Sequence, residues 1–534
     1  MSYTLYHNAH FGPGASAMLV SGGRIAALGG DELRAAAPAG TACIDLGGGW
    51  ALPGFNASHC PLLDVGRGLG SIDLFGAKSP ADIAARCADF LRRRAVPKGR
   101  AVYGNGWNQD LFEGSHAMPT RADLDALCPD NPLLLDRVCG HIMVCNTAAL
   151  RAAGITAATP APAGGGIDLG PDGVPNGLLR DNAVNLVRPL LPAETVDEIK
   201  AAFLAAATHA ASLGLTTVQS NDVRSRDWRT VMAALTALDA EQLLPVRIVL
   251  QCALETPDEL RDFWAAGFRP GAQGRRWKLG PLKLFLDGSL GARTAWLRGG
   301  YADAPEEHGL CCLEYDKAVG MAKLADGAGM QVIAHAIGDA AMEEMLDVIE
   351  AVNAAHGGAN PHRHGVVHCQ VTTPGQWERL ARLDAGALVQ PIFLDYDHTI
   401  VEDRCGAALA ATSYAFGSAV RRGVHLSYGT DAPVESLDVR RNLYSAITRK
   451  PLAGGPAWQP AGPASLLHAQ ALRCYTEAGA WNEFAEAEKG RLAPGYLADF
   501  TVFDRDLFTI PEAQIPAMQV KATVVGGVLA WREA

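Results

Sequence analysis

Seven short apolar or β-branched runs recur between residues 215 and 433: LTTVQS, PVRIVLQ, KLGPLKLFLDG, MQVIAHAIGD, HGVVHCQ, GALVQPIF and VHLSYGTDAP. Each is followed by an alanine- and leucine-rich stretch of helical character. Strands that alternate with helices build a parallel sheet, because each crossover must cover a sheet face before the next strand can pair. This many units predicts closure into a (β/α)8 barrel over about residues 57–475. A doubly wound open sheet is the alternative, but no GxGxxG follows a first strand to give it a nucleotide-binding form.

The two ends of the chain read differently. AMLVSGGRIAALGG near the start, with ADFTVFDRDLF and VKATVVGGVLAWRE near the end, are short apolar runs broken by glycine turns. Residues 1–56 and 476–534 are therefore expected to form one small β-sandwich. Residues 66–192 are rich in Gly, Pro and Asp turns, including PAPAGGGIDLGPDGVPNG, and read as an insertion over one barrel face.

Bulk properties narrow the partners. A chain of 534 residues, 49% hydrophobic, can bury a large core, and a barrel with attachments fits that length. The net charge of -11 comes with no basic stripe to neutralise phosphates, which argues against nucleic acid. The opening MSYTLYHNAHFGPG has no basic-then-apolar signal pattern, and no apolar stretch reaches the roughly 18 residues of a membrane span. A cytoplasmic protein acting on a small molecule, with no membrane partner and a homodimer left open, is the expectation. The 12 cysteines are scattered and read as reduced thiols, mostly buried.

Several strand-like runs end in a residue able to bind a metal: His59, Lys283, His335, His368 and Asp431. A (β/α)8 barrel gathers the C-terminal ends of its strands on one face, which is the convergence a metal needs. Singly, each has a plainer reading. A histidine there is more often a hydrogen-bonding partner, and Asp431 in GTDAP suits an Asx turn. Lys283 is harder to dismiss, because an ammonium inside PLKLFLDG needs a charge partner or a chemical modification.

The ordered stretches LPGFNASH, GNGWNQDLF, NGLLRDNA, GLTTVQSND, KLFLDGSLGARTA, AHAIGDAA, RHGVVHCQV, QPIFLDYD, GTDAPVES and LAPGYLADFTVFDRD resemble the amidohydrolase superfamily, family 3, YtcJ-like branch, over nearly the whole chain. The resemblance implies a metal-dependent hydrolase barrel carrying a β-sandwich. It casts Lys283 as a carboxylated lysine bridging two metals, His335 and His368 as ligands of the second metal, and Asp431 as ligand and general base. Asp431, Lys283 and His335 form the implied catalytic set. Trp107 in GNGWNQD, His141 in RVCGH and Asp397 in FLDYD fall in segments that line the cavity in the family. The residues alone leave an even alternative, in which Trp107 is core and His141 orients a loop.

The departure lies in the first strand. Where the family usually reads Asp-x-His-x-His, this chain has Ala57, His59 and Pro61. The expected cofactor is a divalent metal, zinc, bound tightly by His335, His368 and carboxylated Lys283, with the position near His59 weak or empty. The implied reaction is hydrolysis of an amide-like C–N bond in a small molecule by a metal-activated water. The alternative is a repurposed isomerase, lyase or decarboxylase with an incomplete centre. A silent binding protein is a third class, weakened by the joint survival of Lys283, His335, His368 and Asp431.

Overall fold

The computed structural model describes residues 3–137, 142–162, 165–191, 193–458 and 466–533. It contains two compact units, Met1–Asp64 with Phe203–Ala534, and Val65–Ala202. The first holds an eight-stranded parallel sheet: β1 (Phe55–Cys60), β2 (Leu215–Arg224), β3 (Arg247–Ala253), β4 (Trp277–Phe285), β5 (Val332–Ala336), β6 (Gly365–His368), β7 (Gly386–Val389) and β8 (His425–Tyr428). Neighbours in sequence are neighbours in the sheet, so every connection is a parallel crossover and the expected (β/α)8 barrel forms. β1, β6 and β7 are buried at every position, as strands covered on both faces must be. Helices between the strands start on local signals. Thr256 with Glu259, and Thr373 with Gln376, make capping boxes before a proline at the helix start.

Closure brings β8 against β1. The Asp431 backbone N–H donates to the His59 carbonyl at 3.2 Å, and the Cys60 thiol donates to the Ala432 carbonyl at 3.5 Å. Gly429 lies so near that an added Cβ would fall 2.5 Å from the His59 oxygen and 2.8 Å from its nitrogen. Only a residue without a side chain permits that approach.

Both chain ends join one small β-sandwich, as expected. Its seven strands run in the spatial order Val528–Arg532, Val520–Val525, Phe500–Phe503, Ala42–Pro53, Tyr3–His10, Ala17–Ser21, Arg24–Gly29. The order curls back on itself: Tyr6 hydroxyl donates to the Gly527 carbonyl at 3.1 Å, and the Ala498 N–H donates to Gly23 at 2.9 Å. Tyr6, Met18 and Ile25 thereby share a core with Phe500, Val502 and Val524, and the Tyr6 and Phe500 rings meet edge to face at 5.2 Å.

The second unit, Val65–Ala202, has a six-stranded mixed sheet ordered Gly165–Leu169, Pro175–Asp181, Ile142–Cys145, Leu133–Arg137, Val102–Trp107, Ile72–Asp73. Its apolar core includes Ile83, Leu124, Leu135 and Trp107. Among the described residues no helix is long and apolar enough to cross a membrane, and the described cysteines are free thiols, most of them buried.

The seam yields a prediction. Gly429→Ala forces β8 away from the His59 backbone, an overpacking cost of about 1–3 kcal/mol, and lowers the melting midpoint by a few degrees together with metal affinity. Gly375→Ala, where nothing lies within 4 Å of the added methyl, leaves both in place. Equal melting curves and equal metal affinity for the parent and Gly429→Ala would contradict the closure described.

Candidate metal centre

The C-terminal strand ends deliver the expected residues to one place. His59 comes from the end of β1, Lys283 from near the end of β4, His335 from β5 and His368 from the last position of β6; Asp431 follows β8. The ligand atoms of His59, His368 and Asp431 lie within 4.8 Å of one another. His59 Nε2 stands 3.4 Å from Asp431 Oδ1, and the His59 and His368 rings are 5.6 Å apart, edge to face. Asp431 and His368 adopt left-handed backbone with φ of 54° and 81°. Such strain in non-glycine residues persists where the surroundings impose it, and functional sites are the usual place.

The two histidines are held in one proton form. His59 Nδ1 meets Gln251 Oε1 at 2.5 Å, and His368 Nδ1 meets Gln390 Oε1 at 2.8 Å. Each glutamine is itself oriented, since Gln251 Nε2 donates to the Ser58 carbonyl at 2.9 Å and Gln390 Nε2 to the Leu388 carbonyl at 3.3 Å. With its NH2 group committed, each amide must present oxygen to the ring, so each Nδ1 carries the proton and each Nε2 a lone pair. Burial, reinforced by neighbouring positive groups, keeps both imidazoles well below the usual histidine range, so the lone pairs stay available.

Lys283 is 1% exposed, and among the described residues its Nζ makes a single 3.4 Å contact, with the Leu284 carbonyl, and lies 4.0 Å from the Phe285 ring centre. Burial lowers its pKa while the charges of Asp431 and Asp287 oppose that shift. Burial likewise raises the Asp431 pKa against the attraction of Lys283. A lysine ammonium here and the largely covered Asp431 carboxylate would each offset the other's charge.

His335 lies next to this group. Its ring is 4.4 Å from that of His368, yet its Nε2 meets the Gly288 carbonyl at 2.9 Å and Asp287 Oδ1 at 3.3 Å. A carbonyl only accepts, so that nitrogen carries a proton and offers no lone pair. His59, His368 and Asp431 are thus the side chains whose ligand atoms converge, with the His335 ring beside that of His368. Asp397 accepts from the Tyr414 hydroxyl at 2.6 Å, and burial raises its pKa to about 6. Trp107 is wholly buried in the core of the Val65–Ala202 unit, donating from Nε1 to the Leu135 carbonyl at 2.7 Å, and has no surface to show a ligand. His141 lies outside the described residues.

Three supporting residues were not singled out from sequence. Gln251 ends the quoted run PVRIVLQ, and Gln390 lies inside GALVQPIF directly after β7, so the strand-end rule that marked the histidines also reaches them. Asp287, fully buried, accepts from the backbone N–H groups of Trp296, Ile337 and Gly338 at 2.8–3.0 Å and ties the loops after β4 and β5 together.

The amidohydrolase family model matches residues 42–530. The chain is 34% identical over 493 residues to the putative amidohydrolase YtcJ of Bacillus subtilis, covering 92% of this chain and 90% of that protein. Over 564 residues it is 26% identical to the N-substituted formamide deformylase of Arthrobacter pascens, covering 96% and 94%. The solved structure of an uncharacterized metal-dependent hydrolase from Pyrococcus horikoshii superposes with a TM-score of 0.79 at 27% identity, covering 96% of this chain and 99% of that one.

The glutamine supports can be tested directly. Gln251→Ala and Gln390→Ala each free an imidazole to rotate and change tautomer, and each lowers metal affinity about 10–100-fold in competition with a chromophoric chelator. Affinities equal to the parent's would show that the amides do not set the ligand form.

Proposed function

Since the chain belongs to the amidohydrolase family, we propose that it is a zinc hydrolase of a C–N bond in a small amide-like compound, with His59, His368 and Asp431 holding the ion. The observation that carries this reading is the pair of glutamine-fixed imidazoles whose Nε2 lone pairs converge beside a carboxylate. Two neutral nitrogens, one carboxylate and an open position suit zinc in a catalytic site. Zinc, when bound, polarises a carbonyl and lowers the pKa of water.

The chain's own groups supply the rest. The Asp431 carboxylate, facing His59 across 3.4 Å, accepts a proton from the attacking water and returns it to the departing nitrogen. Among the described residues Lys283 Nζ has one long contact for the three N–H donors of an ammonium; carboxylation, in which the ammonium first loses a proton and the free amine then adds CO2 and loses a second, removes that charge and gives an anionic oxygen ligand. The Arthrobacter relative's name specifies N-substituted formamides, and compounds of that class lead the substrate panel. Asp397, beside Tyr414, is the candidate substrate contact from the loop after β7. The Pro61 departure favours a second reading, in which one ion polarises a carbonyl and Asp431 moves a proton from carbon.

The test strips the full-length protein with chelator and assays N-formyl and N-acyl amines. Hydrolysis is lost, zinc restores it, and Asp431→Asn lowers kcat about 10²–10⁴-fold with the fold intact. Pro61→His adds one zinc equivalent to those the parent holds. Turnover by metal-free protein would refute the proposal, whereas metal-dependent solvent exchange of a carbon-bound proton without hydrolysis would establish the second reading.

A further inference from the structure

A second cluster of histidine and aspartate side chains lies at the opposite end of the barrel strands. His364 immediately precedes β6 and His368 ends it, a separation of about 13 Å at roughly 3.3 Å per residue. Asp326, the last residue of the helix Tyr315–Asp326, is 6% exposed and receives three imidazoles. His356 Nε2 lies 3.0 and 2.9 Å from its two oxygens, His362 Nδ1 lies 2.6 Å from Oδ1, and His364 Nε2 lies 3.1 Å from Oδ1. The ligand atoms of Asp326, His362 and His364 fall within 4.8 Å of one another.

The three histidines are not equivalent. The Val332 backbone N–H donates to His364 Nδ1 at 3.0 Å, so that nitrogen is unprotonated and the ring proton sits on Nε2, pointing at Asp326. His364 therefore orients the carboxylate and has no lone pair to give a metal. Asn360 fixes it there, accepting from the His364 N–H at 2.8 Å and donating to its carbonyl at 3.1 Å. His356 and His362 are under no such restraint. Their side chains are 29% and 25% exposed, and among the described residues the remaining nitrogen of each ring makes no hydrogen bond. Each can move its proton to that outer nitrogen and turn a lone pair toward Asp326.

A helix C-terminus carries partial negative charge, and a largely buried carboxylate there is opposed by both burial and the helix dipole. Burial opposes the Asp326 charge, but the hydrogen bonds from His362, His356 and His364 outweigh it and hold the carboxyl below its usual range, so the three rings already gather on a charged carboxylate. We propose that Asp326, His356 and His362 form a second divalent-metal site of zinc type, with His364 as a positioning residue that holds the carboxylate through Nε2–H. Two imidazoles, one carboxylate and a solvent-facing fourth position match zinc's preferences, and the His364 N–H on Asp326 Oδ1 is the usual support of a ligating carboxylate.

The experiment counts zinc and cobalt equivalents on the full-length protein after chelator stripping and metal return, by elemental analysis and chelator competition. The expected result is one equivalent lost in His362→Ala and in His356→Ala, with the ion bound by His59 retained; His59→Ala shows the converse. His362→Gln separates ligation from structure, because an amide still donates to Asp326 but offers no imidazole. It should melt like the parent while weakening zinc at this site by about 100-fold or more. Equal zinc equivalents and affinities in the parent and in folded His362→Gln and His356→Ala would overturn the proposal, leaving the cluster as a hydrogen-bonded support for the helix end.

Discussion

The joint between the last and first barrel strands is the contact on which the rest depends. The Asp431 N–H bonded to the His59 carbonyl closes the ring, and the same two residues place a carboxylate and an imidazole toward the candidate ion. Gly429 makes the joint possible by leaving no side chain in the gap. Barrel closure and ligand geometry are thus one event: strands misaligned at this seam would separate His59 from Asp431. The left-handed backbone at Asp431 and His368 is held by the same tightly packed strand ends.

Around that joint the structure controls protons. Gln251 and Gln390 each spend their NH2 group on a backbone carbonyl so that their oxygen fixes an imidazole tautomer, while the Gly288 carbonyl fixes His335 in the opposite sense. The three histidines are therefore distinguished by which ring nitrogen meets an accepting oxygen, Nδ1 in His59 and His368 and Nε2 in His335. Burial disfavours the charged forms of both Lys283 and Asp431, and each one's charge opposes that effect on the other. The same logic operates around Asp326 at the other end of the strands, where a single backbone N–H separates His364 from His356 and His362.

Much of this was legible in the chain. Alternating runs gave the (β/α)8 barrel, glycine-punctuated ends gave the terminal β-sandwich, and polar residues closing apolar strands marked His59, Lys283, His335, His368 and Asp431. The division of labour among them was not legible, because it depends on backbone carbonyls such as Gly288 that have no sequence signature. Gln251 and Gln390 escaped notice because an amide is not a metal ligand, although it decides whether its neighbour is one. Trp107 illustrates a different limit: cores and pockets draw on the same aromatics, and only burial distinguishes them. Asp326 meets its histidines 30 to 38 residues away through packing alone, which no local pattern reveals.

The central claim is that the ion at the C-terminal end of the strands belongs to His59, His368 and Asp431. Anomalous diffraction from zinc-loaded crystals, recorded at the zinc absorption edge, tests it most directly. The account predicts a peak about 2.0–2.2 Å from His59 Nε2, His368 Nε2 and an Asp431 oxygen, with His335 Nε2 still on the Gly288 carbonyl. A peak shared by His335 and His368, with His59 left bonded to Gln251 alone, would contradict it.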